Sequence, residues 1–223
     1  MFKSIIHELI STDEPSLVMK LIQDSKKELM YSSMMLDMYE CNRCGLRSNC
    51  KQHVPGKGSK NAHLMFIGEG PGAVEDEQGK PFVGPAGKVL DKFLELAEIS
   101  HKDIYITNII KCRPQNNRTP NIKEVTTCEP YLKQEIDIVD PKIIVCLGSP
   151  ASNAVIHSKF KITEEHGKWF EIDKRKIISM YHPAYILHTY SKDQEKANIL
   201  KDEFWNDLKK VKEELNKCVD KKH

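Results

Sequence analysis

A chain of 223 residues, 39% of them apolar and 30% charged, is long enough to bury one sizeable core and too short for several. Its 34 basic and 32 acidic residues leave a net charge of +2, which excludes a polycation and requires any nucleic-acid contact to come from a local basic face. No stretch reads as a membrane span, the opening MFKSIIHELI alternates too soon for a secretory leader, and seven cysteines then point to metal ligands or buried thiols rather than disulfides. The expectation is an intracellular protein, cytoplasmic in a microbe or inside the host cell if viral.

From Glu14 to about Glu40, Leu17, Leu21, Leu29, Met30, Met34 and Met35 recur at near-helical spacing, with Asp13 as cap and Pro15 in the first turn. This predicts a helical N-terminal appendage whose Met-rich stripe serves as core or docking surface. The turn-rich GKGSKN, Gly56 to Asn61, is the nearest thing to a linker. Beyond it, short apolar runs alternate with amphipathic stretches. Strands are expected at Leu64–Gly68, Ile104–Asn108, Ile143–Leu147 and Lys176–Met180, and helices at Lys88–Ala97, Ile122–Val139, Ser149–His157 and about Lys192–Lys217, with VDKKH fraying after them. The pattern is that of an α/β fold with helices on the faces of a sheet. GEGPG, TNIIKCRP, LGSPA and YHPA each follow one of the four strands. In a parallel sheet these segments converge on one crevice beyond the carboxyl ends of the strands.

Cys41 and Cys44 form a CxxC pair, while Cys112 and Cys128 are separated by fifteen intervening residues. Two close and two distant thiolates can enclose one tetrahedral or cubane centre and staple the N-terminal segment to the middle of the chain; spacing alone does not separate zinc from an iron-sulfur cluster. Cys146 sits in the apolar run IIVCLG as a core residue, and Cys218 in the Lys-rich tail has no assigned role. Cys50 stands close enough to the pair to replace a ligand.

Eight ordered blocks, CNRCGL, FIGEGPG, EDEQGKPFVGPAG, YITNIIKCRP, NRTP, CEPYL, PKIIVCLGSPA and YHPAYIL, resemble the iron-sulfur uracil-DNA glycosylases, called family four. The likeness runs from about Cys41 to Leu187 and is weaker through the C-terminal helix. It implies a three-layer α/β/α sandwich around a short parallel sheet, occupying 41–217 between the appendage (1–40) and a tail (218–223). It also implies a structural [4Fe-4S] cluster on Cys41, Cys44, Cys112 and Cys128, zinc being the alternative occupant. The activity it implies is hydrolysis of the N-glycosidic bond of deoxyuridine in single- or double-stranded DNA.

A base inside a duplex must be extruded to be reached. Phe82, in the PFVG turn, is the stacking candidate. Asn108, at a strand end, can accept from uracil N3–H and donate to O4, a pattern that cytosine inverts. A strand-end Asn that caps a turn is the commoner case without the family likeness. By resemblance, His182 donates to uracil O2 and the backbone around Gly70 assists. Glu69 and Glu75 match acidic positions of the family, one of them activating water, with the choice left open. Asn117 matches a position near the reacting sugar. DNA contacts are expected from Arg113, Arg118 and Lys168, and Tyr185, Ile186 and Leu187 are candidates to wedge into the gap left by the extruded nucleotide.

The interval RPQNNRTPNIKEVTT holds no His, so covalent trapping of the kind seen in one branch of the superfamily is not expected, and the acidic Glu69 favours a uracil-selective hydrolase. Where the family usually carries Arg, this chain has His166. Two rivals belong to other classes: a metal-stapled DNA-binding protein without turnover, and a zinc-stapled nucleotide hydrolase, which lacks the Lys-Ser/Thr of a P-loop. A monomer is expected, with an unidentified partner possible for the appendage.

Overall fold

The computed structural model describes residues 15–220; Asp13, Glu14, the opening MFKSIIHELI and the last three residues of VDKKH lie outside them. The expected four strands form the parallel centre of a six-stranded sheet. In chain order the strands are β1 (Lys57–Gly58), β2 (Leu64–Gly68), β3 (Ile104–Asn108), β4 (Ile143–Leu147), β5 (Trp169–Ile172) and β6 (Arg175–Met180). Their spatial order is β1-β3-β2-β4-β6-β5. β3, β2, β4 and β6 run parallel, while β1 and β5 pair antiparallel at the two edges. GKGSKN is therefore not a linker. It carries β1, where Gly58 (φ +127°) lies so close to β3 that a Cβ there would stand 2.2 Å from the Ile104 carbonyl oxygen.

The helices are α1 (Pro15–Tyr39), α2 (Ala73–Gln78), α3 (Pro85–Leu96), α4 (Ile122–Val139), α5 (Ser149–Val155), α6 (Ile162–Glu165), α7 (Pro183–Tyr190) and α8 (Gln194–Asp220). Alternation along the strands sends side chains to two cores. On one face Leu64, Phe66, Ile104, Ile106, Val145 and Ile178 pack with Leu90 and Leu94 of α3, Ile186 of α7 and Phe204, Leu208 and Val211 of α8, against which Cys218 also lies. On the other, Met65, Ile67, Tyr105, Ile144 and Cys146 pack with Tyr131 and Leu132 of α4 and Met34 and Met38 of α1. Helix, sheet and helix make the expected three layers. Among the described residues no helix is long and apolar enough to cross a membrane.

The appendage is thus partly core. Its C-terminal half docks through Met34 and Met38, while Leu17, Leu21, Leu29 and Met30 of the anticipated stripe are exposed. α8 continues past Lys217 to Asp220, because Leu208, Val211 and Leu215 keep one face on the core.

Candidate active site and metal centre

Parallel strands end together, and Gly68 pairs with Asn108 in register while Leu147 pairs with Met180. The chain leaves β2 as Glu69-Gly70-Pro71-Gly72, whose last glycine caps α2. Glu75, on α2, turns its Oε1 back to accept from the N–H groups of Val83 (3.0 Å) and Gly84 (2.7 Å). Gly84 caps α3, so this carboxylate fixes the PFVG turn. Phe82 is held there with φ +52°, a left-handed backbone that a bulky residue adopts only when its surroundings dictate it. Gly87 permits the turn, since a Cβ on it would lie 2.1 Å from the Phe82 carbonyl oxygen.

The Phe82 ring is thereby set beside His182, centroid to centroid 5.8 Å. Gly68 completes the gap: a Cβ on it would stand 2.5 Å from Asn108 Oδ1 and 2.6 Å from Phe82 Cζ. Asn108 is buried, and its Oδ1 has no hydrogen-bond partner. A buried orphan acceptor is costly unless a ligand satisfies it.

His182 caps α7, its Nδ1 accepting from the Ala184 N–H at 3.1 Å. Burial pushes its pKa down to about 4, against a smaller opposing pull from Glu75. The ring is neutral with its proton on Nε2. Glu69 is half-buried, and burial raises its carboxyl pKa while a hydrogen bond from Thr119 lowers it. Gly70 lies against Ile110, which also donates its N–H to the Glu69 carbonyl (3.4 Å).

The NRTP loop follows. Asn116 and Asn117 both have positive φ, and Asn117 Oδ1 accepts from Arg113 Nε (2.8 Å) in an exposed pair. Arg118 grips Glu124 through both guanidinium nitrogens (2.8 and 2.6 Å), reinforcing the Asn121–Glu124 capping box of α4. Its charge is therefore already paired in this structure. Lys168 is exposed in the turn before β5, and Tyr185 and Leu187 project from α7, Tyr185 stacking on Tyr181. Ile186, expected beside them as a wedge, is 2% exposed and packs into the core instead, because it occupies the inward face of α7. His166 is anchored by Asp207 of α8 (Nδ1 to Oδ2, 2.7 Å) and lies on the Tyr181 ring.

Cys41, Cys44, Cys112 and Cys128 line one cavity, together with Met38, Leu46, His53, Lys111 and Tyr131. Burial raises the thiol pKa of Cys112 and pushes that of Cys128 up to about 11, and the neighbouring thiols add to both shifts. A metal at this cavity would have to displace those thiol protons, since thiolates are the ligand form. His53 Nε2 is also buried without a partner beside the cavity. Among the described residues no three His, Cys, Asp or Glu converge closely enough to hold one metal ion. Cys50 is buried next to Cys112 but does not line the cavity.

Sequence reasoning missed Thr119, Lys111 and Glu135. Lys111 stands between Asn108 and Cys112, and that position was the one available signal.

The model of the uracil DNA glycosylase superfamily matches residues 55–209. Over 185 residues the chain is 37% identical to a type-4 uracil-DNA glycosylase of Archaeoglobus fulgidus, covering 79% of this chain and 89% of that protein. It is 41% identical over 187 residues to the type-4 enzyme of Sulfurisphaera tokodaii, covering 79% and 81%. A type-5 uracil-DNA glycosylase of Pyrobaculum aerophilum is 32% identical over 148 residues, covering 59% and 65%.

Proposed function

The chain belongs to the type-4 uracil-DNA glycosylases of the uracil-DNA glycosylase superfamily, and from that premise we propose how its crevice reads and releases the base. It is a uracil-DNA glycosylase of base excision repair, and its substrate is uracil-containing DNA, single-stranded or duplex. The observation that carries the site assignment is the buried Asn108 amide, its Oδ1 unpartnered beside the gap left by Gly68. In that gap Oδ1 accepts from N3–H of an extruded uracil while the amide nitrogen donates to O4. Phe82 covers the face of the ring. Cytosine offers a lone pair at N3 and a donor at C4, so both contacts become repulsive and the buried amide stays unpaired.

Bond cleavage moves negative charge onto uracil O2 and leaves positive character on the sugar. His182 Nε2–H and the backbone N–H of Gly70 meet that charge as it develops, a donor arrangement worth roughly 3 kcal/mol of barrier in comparable sites. A neutral imidazole can do this work, since Nδ1 accepts from Ala184 and leaves the Nε2–H as donor. Glu69 activates or orients the attacking water; burial raises its carboxyl above the usual glutamate value, which makes it a better base. Glu75 acts through the turn it fixes, because its Oε1 is already engaged by Val83 and Gly84. Asn117, Arg113 and Lys168 face the DNA backbone, Arg118 joins them only by releasing Glu124, and Tyr185 and Leu187 fill the space the base has left.

Cys41, Cys44, Cys112 and Cys128 hold a [4Fe-4S] cluster. The four cysteines lining one cavity and the membership in the type-4 family support this reading. The cluster braces the loops and contributes no bond-making to hydrolysis.

The test is incubation with labelled DNA bearing one uracil, followed by alkali. Strand scission at the uracil is expected, and intact DNA would sink the reading. Visible absorbance near the iron-sulfur band with about four irons per chain is expected; a colourless, zinc-replete and active enzyme would overturn the cluster.

A further inference from the structure

Lys111 is 1% exposed and Glu135 fully buried, and neither belongs to the chemistry above. All three ammonium protons of Lys111 are used: on Thr107 Oγ1 (2.6 Å), on the Asn108 carbonyl (2.7 Å) and on Glu135 Oε2 (2.6 Å). Glu135 is equally saturated. Its Oε2 also accepts from Thr107 Oγ1 (2.6 Å), and its Oε1 accepts from Gly56 N–H (2.7 Å) and Tyr105 O–H (3.3 Å). The Lys111 backbone is engaged too, its N–H donating to Cys128 Sγ (3.3 Å) and its carbonyl accepting from Val54 N–H (2.8 Å).

Stability does not explain this arrangement, because a buried ion pair commonly adds nothing over an apolar pair of similar volume. What a fully satisfied network adds is one fixed geometry. Here it fixes the peptide that leaves Asn108, the residue whose side chain reads the base. The opposite anchor is α4, which carries Glu135 and, two turns earlier on the same face, Cys128.

We propose that Lys111 and Glu135 are positioning residues: a buried clamp that sets the Asn108 amide for uracil and ties it to the cysteine centre through Lys111 N–H on Cys128. The inference rests on Asn108 as the base reader. Lys111 has no proton left for substrate, so it acts only through its neighbour.

The test compares wild type with the double variant Lys111→Met/Glu135→Leu, which removes both charges together and takes from Thr107 Oγ1, Gly56 N–H, Tyr105 O–H and the Asn108 carbonyl the partners named above. Five quantities are read: iron content, thermal midpoint, inhibition constant for free uracil, and kcat and KM on uracil-DNA. The expected result is a folded, iron-replete protein whose uracil inhibition constant rises at least about tenfold, the equivalent of one lost hydrogen bond. A folded, iron-replete double variant with wild-type uracil affinity would overturn the clamp. Should the double variant not fold, Glu135→Gln decides: it keeps the shape and weakens the hold on Lys111, so a smaller rise in the same constant is expected and an unchanged constant overturns the proposal. Wild type that neither excises nor binds uracil would instead overturn the base-reading assignment itself.

Discussion

Because His182 Nδ1 accepts from Ala184, the one proton the ring can give is on Nε2, and burial that holds the pKa near 4 keeps the ring neutral across the physiological range. Burial moves Glu69 the other way, above the usual glutamate value. The acid limb of kcat/KM should therefore belong to Glu69, above the ordinary carboxylate range, with no limb at the ordinary histidine value. Glu69→Gln is expected to lower the plateau and abolish that limb; a limb near the histidine value that disappeared in His182→Gln would sink the neutral-donor assignment. The same burial has a stability consequence. The unfolded chain takes up the His182 proton below its ordinary value of 6.5, whereas the folded chain resists until about 4. Unfolding free energy therefore falls on acidification through that window at about 1.4 kcal/mol per pH unit for this one proton. In His182→Gln that component of the slope, measured by denaturant titration, should vanish. Asn108→Ala should lower kcat/KM on uracil-DNA by one to two orders of magnitude, the loss of about 1–3 kcal/mol from two base-edge hydrogen bonds. The place of Asn108 at a strand end was legible in the apolar run before it, whereas its proposed role came only with the family likeness. The task of Glu75 was not, since its partners Val83 and Gly84 are brought to it only by the backbone path of the turn.

At the scale of elements, the four parallel strands were legible because strands buried on both faces read as continuous apolar runs. β1 and β5 were not. β1 is two residues rich in Gly and Lys, and β5 alternates exposed and half-buried residues at an edge, where a run such as WFEI has no unique reading. α1 shows a correct helix whose stripe is core only in part, Met34 being buried and the leucines exposed. The stripe from Leu17 to Met30 reads as core or docking surface, yet its leucines are exposed and this half of the helix meets the body through polar contacts, Lys27 Nζ donating to the Lys60 and Val139 carbonyls (2.8 and 3.1 Å) and Asn61 to Asp24 (2.8 Å); apolar packing begins at Tyr31, Met34 and Met38 meet α4, and the Tyr131 hydroxyl donates to the Asp37 carbonyl (3.2 Å). This division is testable by truncation along the helix. Met34→Ala or Met38→Ala should each destabilise by roughly 2–5 kcal/mol, as buried large-to-small changes do. Both should also quicken bleaching of the visible absorbance, since Met38 lines the cysteine cavity. Leu29→Gln, at a residue 73% exposed, should leave the thermal midpoint within the scatter of surface substitutions. Equal losses at both ends would mean that the whole helix is docked.

At the scale of the molecule, the proposed base reader and one of the proposed metal ligands share the segment that leaves β3. Asn108 ends the strand, Lys111 follows three residues later, and Cys112 comes next. That adjacency was visible in TNIIKCRP. Its meaning was not, because it depends on Glu135, which reaches Lys111 from a helix 24 residues further along the chain. The proposed metal centre would close a longer circuit: Cys41 and Cys44 precede the whole sheet, Cys112 follows β3 and Cys128 lies in α4, so a metal on them would tie the docked end of α1 to β3 and α4. Removing the metal should therefore act in stages. Chelation or oxidative loss leaves buried thiols whose pKa values are already raised, and the protein then loses the cross-link between the 41–44 turn and α4. The first core, packed around α3 and α8, contains none of the four ligands. The expected apo protein keeps most of its far-ultraviolet circular dichroism, melts at a lower temperature and shows faster amide exchange in α1 and α4 than in α8. Its affinity for free uracil should fall as well, because the Lys111 N–H has lost its fixed acceptor on Cys128. Uniform exchange through both cores, or an apo protein that binds uracil as tightly as the iron-loaded form, would mean that the centre braces something other than the base-reading strand.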